Sequence, residues 1–91
     1  MYIKKEHLDF VPEKDKGILV FSHNINKRKY KKKVAFIGQV FLHPKTNEYA
    51  FLPNNEISLG YRTLSIVTDF IIALNEKILI YDEENLQIKK P

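Results

Sequence analysis

Apolar residues recur along this chain in two rhythms, and the change of rhythm separates a sheet-forming stretch from a helical one. Between residues 18 and 52 they come in short runs rich in β-branched and aromatic side chains: Ile18-Leu19-Val20-Phe21, then Val34 to Leu42, then Tyr49-Ala50-Phe51-Leu52. Such runs predict strands. Gly17 opens the first run, Asn24-Ile25-Asn26 breaks it, and Pro44-Lys45-Thr46-Asn47 turns the second into the third as a hairpin. Upstream, residues 2–16 mix apolar pairs with charges around Pro12 and read as a strand or irregular arm ending in a turn over residues 13–17.

Beyond Pro53 the spacing changes. Leu64, Val67, Ile71 and Leu74 follow at intervals of three, four and three, and Ile66, Phe70 and Ala73 widen the stripe. This predicts one amphipathic helix over residues 59–76, with Ser58 as its N-cap and Asn75 as a left-handed cap at its end. Ile78-Leu79-Ile80-Tyr81 then reads as a strand, followed by a turn at 82–85 and a short last strand over 86–88. Leu74, Ile78 and Tyr81 also keep the spacing of a continued helix. The expected architecture is a single α+β domain over residues 1–91, an antiparallel sheet of four to six strands packed against one helix.

The long strand is apolar on both sides. Strict alternation puts Val34, Phe36, Gly38, Val40 and Leu42 on one face and Ala35, Ile37, Gln39, Phe41 and His43 on the other. A sheet with one wet face alternates apolar with polar, and this one does not. One helix covers one face. The other calls for cover from residues 2–11 and 78–88, or from a second subunit or partner. Gly38, in mid-strand, marks a bulge or a close packing point against the helix.

Charge adds a feature that the apolar pattern lacks. The chain carries 15 Lys and Arg against 11 Asp and Glu, net +4, and six of those cations lie in the seven residues Lys27, Arg28, Lys29, Tyr30, Lys31, Lys32 and Lys33. The other 84 residues hold nine cations against eleven anions, net −2. The basicity is local, at a predicted hairpin arm between two strands. Lys and Arg heads pair with phosphates, Arg28 can do so bidentately, and Tyr30 offers a ring on which a base can stack. Nucleic acid or a nucleotide is the partner such a run fits best. An acidic protein surface and a solvated loop that discourages strand pairing also accommodate it.

Other chemistry finds little support. Cysteine is absent, which excludes disulfides and thiolate metal sites. His7, His23 and His43 show no metal-ligating spacing, and His23 and His43 are read as capping strand ends. Asp69, Glu48 or Glu56 with a histidine would be the acid–base candidates, but no motif unites them, so no catalytic residue, cofactor or enzymatic activity is expected. Tyr49 and Phe51 share a hairpin face and form either an aromatic platform for bases or part of the core. The opening residues do not read as a signal peptide, and no apolar run exceeds five residues. A cytoplasmic protein without membrane association is therefore expected.

Gly38-Gln39-Val40, His43-Pro44, Tyr49-Ala50-Phe51-Leu52-Pro53, Leu64, Phe70 and Leu74-Asn75 together resemble a small class of phage and mobile-element proteins built as hairpin, Phe-x-Pro exit and one helix. The resemblance implies an accessory or counter-defence role in the host-cell cytoplasm. In that setting a homo-oligomer inhibits a host defence protein or sequesters a small nucleotide signal. It assigns no residue a task, and the basic run lies outside it.

Overall fold

A computed structural model of the chain describes residues 3–5, 7–26 and 31–91, with residues 3–5, 24–26 and 31–33 described by backbone alone. The fold is α+β. Strands β1 (Ile3–Lys5), β2 (Leu8–Glu13), β3 (Gly17–Asn26), β4 (Lys31–Leu42) and β5 (Tyr49–Pro53) form, among the described residues, a five-stranded antiparallel meander in chain order. Helix α1 (Tyr61–Asn75) follows, and then a hairpin of β6 (Ile80–Asp82) and β7 (Gln87–Lys89). The region after the helix is thus strand, as the β-branched run predicted, and not a continued helix.

The described part of residues 2–11 joins the sheet instead of lying across it. Pro12 is tolerated inside β2 for a geometric reason. The His23 amide donates to the His7 carbonyl, which makes residues 7, 9, 11 and 13 the ones that exchange hydrogen bonds with β3. The nitrogen of Pro12 therefore points away from β3, beyond the last β1 partner at Phe10, where no ladder bond is lost.

Sheet and helix enclose one core. Leu8, Phe10, Ile18, Val20, Ile37 and Val40 meet Ile66, Val67, Phe70 and Leu74 of α1, with Ile88 of β7 added at one end. The Phe10 and Phe70 rings stack with centroids 4.0 Å apart and planes 12° from parallel. The buried stripe of α1 is rotated from the expected one, because Ile66 and Phe70 occupy its centre and Leu64 is 42% exposed. The helix also starts later than the apolar spacing suggested. Ile57 and Leu59 pack on the core from the irregular segment before the helix, and Gly60, not Ser58, is the N-cap, with no side chain capping it.

At its C-terminus the left-handed residue is Lys77 (φ 61°), not Asn75. The Lys77 amide donates to Leu74 O and the Ile78 amide to Ala73 O, the paired bonds of a Schellman motif. Asn75 is freed for another task. Its Oδ1 accepts from the Tyr49 amide at 2.7 Å and its Nδ2 donates to the Tyr49 carbonyl at 3.3 Å.

A bulge in β4 corrects the alternation reading. Val20 pairs with Gly38 but Phe21 pairs with Phe36, so Ile37 is the extra residue. Past the bulge the parity inverts: Ile37 joins Val40 in the core, while Val34 and Phe36 move to the face of Gln39 and Phe41. The packing partner of Gly38 is not the helix but Phe51, whose ring edge would lie 2.5 Å from a Cβ at this position.

Two substitutions test this account. Gly38→Ala should destabilise by about 2 kcal/mol or more, since backbone and ring must both yield, and should lower the urea midpoint with the slope unchanged. Lys77→Gly should raise stability by about 1 kcal/mol in the same titration by relieving the left-handed side chain.

Candidate nucleic-acid interface

The basic run sits where the two longest strands leave the sheet. β2 accompanies β3 only as far as Ser22, and β5 accompanies β4 only from Gly38 onward. Beyond these points β3 and β4 continue as a two-stranded ribbon, through the pairs His23 with Val34, Asn24 with Lys33, Ile25 with Lys32 and Asn26 with Lys31. Lys31, Lys32 and Lys33 are therefore backbone members of β4 at the outer end of this ribbon. Lys27, Arg28, Lys29 and Tyr30, which link the strands, lie outside the described residues. Neither described strand at this end has a second neighbour, so each carries an unpaired edge. A two-stranded ribbon of this kind has the width that the major groove of B-DNA admits.

At the base of the ribbon lies a pair that sequence reasoning missed. His23 does not cap its strand; its Nε2 hydrogen-bonds Asp9 Oδ2 across the β2–β3 pairing. Both side chains are almost wholly buried, and Asp9 Oδ1 and His23 Nδ1 have no further partner. Fourteen residues separate the two on different strands, and only the register unites them. The pair lines none of the clefts described below. It fixes the root of the ribbon to β2.

The other candidates are scattered. His7 Nε2 meets Thr63 Oγ1 at 3.1 Å, which ties the β1–β2 turn to α1. His43 does end its strand, because its Nδ1 accepts from the Lys45 amide at 3.2 Å. Asp69, Glu48 and Glu56 are all exposed. Tyr49 and Phe51 share a face as expected, but it is the helix-facing one, and both pack against the core in place of forming an open platform. Among the described residues no cluster of three potential metal ligands occurs, and no helix is long and apolar enough to cross a membrane.

Two clefts lie at the far end of β3, about 30 Å from the ribbon tip at the usual strand rise. The larger, of about 550 Å³, runs between the β2–β3 turn and the β6–β7 hairpin, with Lys16, Phe41, Tyr49, Tyr81, Asp15 and Glu83 on its walls. The smaller, of about 350 Å³, shares Tyr49 and Tyr81 and adds Lys77. Burial raises both tyrosine hydroxyls above the ordinary tyrosine pKa, and the Glu83 carboxylate raises them further. Two carboxylates on the larger cleft oppose a phosphate there. On the acidic hairpin, Asp82 bonds Asn85 and reaches Lys89 at 3.5 Å. Its carboxyl is held below the usual carboxylate range, chiefly by those Asn85 bonds.

No protein-family model, curated protein or solved structure matches the chain.

The buried pair gives a double-mutant test. Asp9→Val should cost about 1–3 kcal/mol by leaving the His23 ring nitrogens without a partner, and His23→Val should act likewise. The double substitution should restore most of the loss, giving a strongly non-additive cycle in urea titrations.

Proposed function

We propose that the protein is a non-enzymatic binding protein that grips nucleic acid through the β3–β4 ribbon and the basic run at its tip. The observation that carries this reading is the extension of β3 and β4 beyond β2 and β5, which ends in Lys31, Lys32 and Lys33 paired with Asn26, Ile25 and Asn24. Six cations fall within residues 27–33 while the other 84 residues sum to −2, which supports this end of the chain as the part that attracts a polyanion. Phosphates would be held by Lys27, Arg28, Lys29, Lys31, Lys32 and Lys33, with Tyr30 stacking on a base. Such contacts position the protein without reading sequence, so affinity should depend little on base composition and steeply on salt.

With four phosphates neutralised on a duplex, the slope of log affinity against log salt should be about −3.6. Replacing Lys31, Lys32 and Lys33 together by Gln should flatten that slope by as much as about 2.7, with the circular dichroism spectrum unchanged. Fluorescence anisotropy with a labelled duplex at several salt concentrations measures both. A slope near zero in the parent protein, or one unmoved in the triple variant, would remove the proposal.

A further inference from the structure

The larger cleft, of about 550 Å³, lies where strands of unequal length end. β4 runs two residues past its last β3 partner: Val40 faces Ile18, whereas Phe41 and Leu42 pair with β5 alone. Gly17 lets the β2–β3 turn close against β4 beside this gap, since any side chain at its φ of 76° would run into the Val40 carbonyl. From the other wall Tyr81 reaches across, its hydroxyl donating to the Gly17 carbonyl at 3.4 Å. The volume falls inside the roughly 300–1,000 Å³ of small-molecule sites, and Phe41, Tyr49 and Tyr81 give the cleft aromatic surface.

The polar side chains here are mostly acceptors. Asp15 and Glu83 bring carboxylates from opposite walls, and among the described residues neither is held in an ion pair. Gln39 donates through Nε2 to the Lys16 carbonyl, which leaves Oε1 to accept. Tyr81 gives its proton to Gly17 and keeps its lone pairs. Burial first, and then the Glu83 carboxylate, raises the Tyr49 and Tyr81 hydroxyls above their usual pKa, so the field of Glu83 reaches both. Against the two carboxylates stands one cationic head, that of Lys16, which leaves the walls at net −1.

We infer that this cleft binds a small organic cation of the guanidinium class. A guanidinium is planar and permanently charged, and it donates through five N–H groups while accepting none. That complement matches an acceptor-rich, net-negative cleft with rings on which the plane can stack. One such group between the β2–β3 turn and the β6–β7 hairpin meets both carboxylates. A phosphate would bring acceptors to acceptors and negative charge to negative charge. The inference does not rest on nucleic-acid binding, and its test contains none.

Ethylguanidinium titrated into the full chain should give saturable shifts of the Tyr49 and Tyr81 ring signals by nuclear magnetic resonance. Ethylurea, of the same shape but uncharged, should bind at least about 10-fold more weakly. Glu83→Gln and Asp15→Asn should each weaken ethylguanidinium about 3-fold, as exposed charges do. Asparagine tolerates the left-handed conformation of residue 15 (φ 63°), so that turn is kept. Lys16→Gln should tighten binding about 3-fold by removing the opposing charge. Absence of saturable shifts, or ethylurea binding as tightly as ethylguanidinium, would overturn the inference with the parent protein alone. So would folded Glu83→Gln and Asp15→Asn variants that both bind as the parent does.

Discussion

The close approach of Phe51 to Gly38 is the constraint from which most of this structure follows. The ring occupies the space where any side chain at position 38 would stand, and the bulge at Ile37 brings the backbone there. One extra residue in β4 reverses which way its first half faces. Ile37 is turned in to meet the helix, and Val34 and Phe36 are turned out beside Phe21. Without the bulge, Phe36 would enter a core already filled by Phe10 and Phe70, and Ile37 would be wetted. The packed interior, the open apolar face and the orientation of the ribbon strands are thus joined through one backbone irregularity.

The ribbon depends on that arrangement in a second way. Strands of 10 and 12 residues outrun their neighbours, and a free two-stranded hairpin in water is marginal at best. The Asp9–His23 contact at its root ties β3 to β2 just where β2 ends. Buried polar pairs of this kind contribute little net stability compared with apolar replacements, but they fix register, because a slip of one residue would leave both groups unpaired. A two-stranded projection gains more from a fixed register than from the raw stability of one buried pair.

Much of the fold was legible in the sequence, because the strands and the helix announce themselves through composition and spacing that local propensity supports. The β-branched run at 78–81 outweighed the competing helical spacing because the chain leaves the helix at Lys77, where the Schellman bonds close. What stayed hidden was set by partners far along the chain. Gly38 reads as a bulge or a packing point without saying which aromatic it meets. Ser58 has the chemistry of a cap, but Ile57 and Leu59 pack on the core ahead of the helix, and the helix starts only after Gly60. His23 looked like a strand-end residue because Asp9 acquires meaning only once β2 and β3 are in register. The basic run was the plainest signal of all, being local in sequence; of it, the backbone of Lys31, Lys32 and Lys33 is described, as the first residues of β4.

Asn75 and Asn54 share a consequence for how copies of this molecule can meet. Tyr49 lies on the outermost strand with its amide and carbonyl turned outward, and the Asn75 carboxamide answers both as a neighbouring peptide unit would. On β4, just past the end of β5, the backbone and side chain of Asn54 take the Ile37 and Phe36 carbonyls. These borrowed amides cap the sheet at two points: an incoming strand finds the Tyr49 peptide unit and the Ile37 and Phe36 carbonyls already engaged.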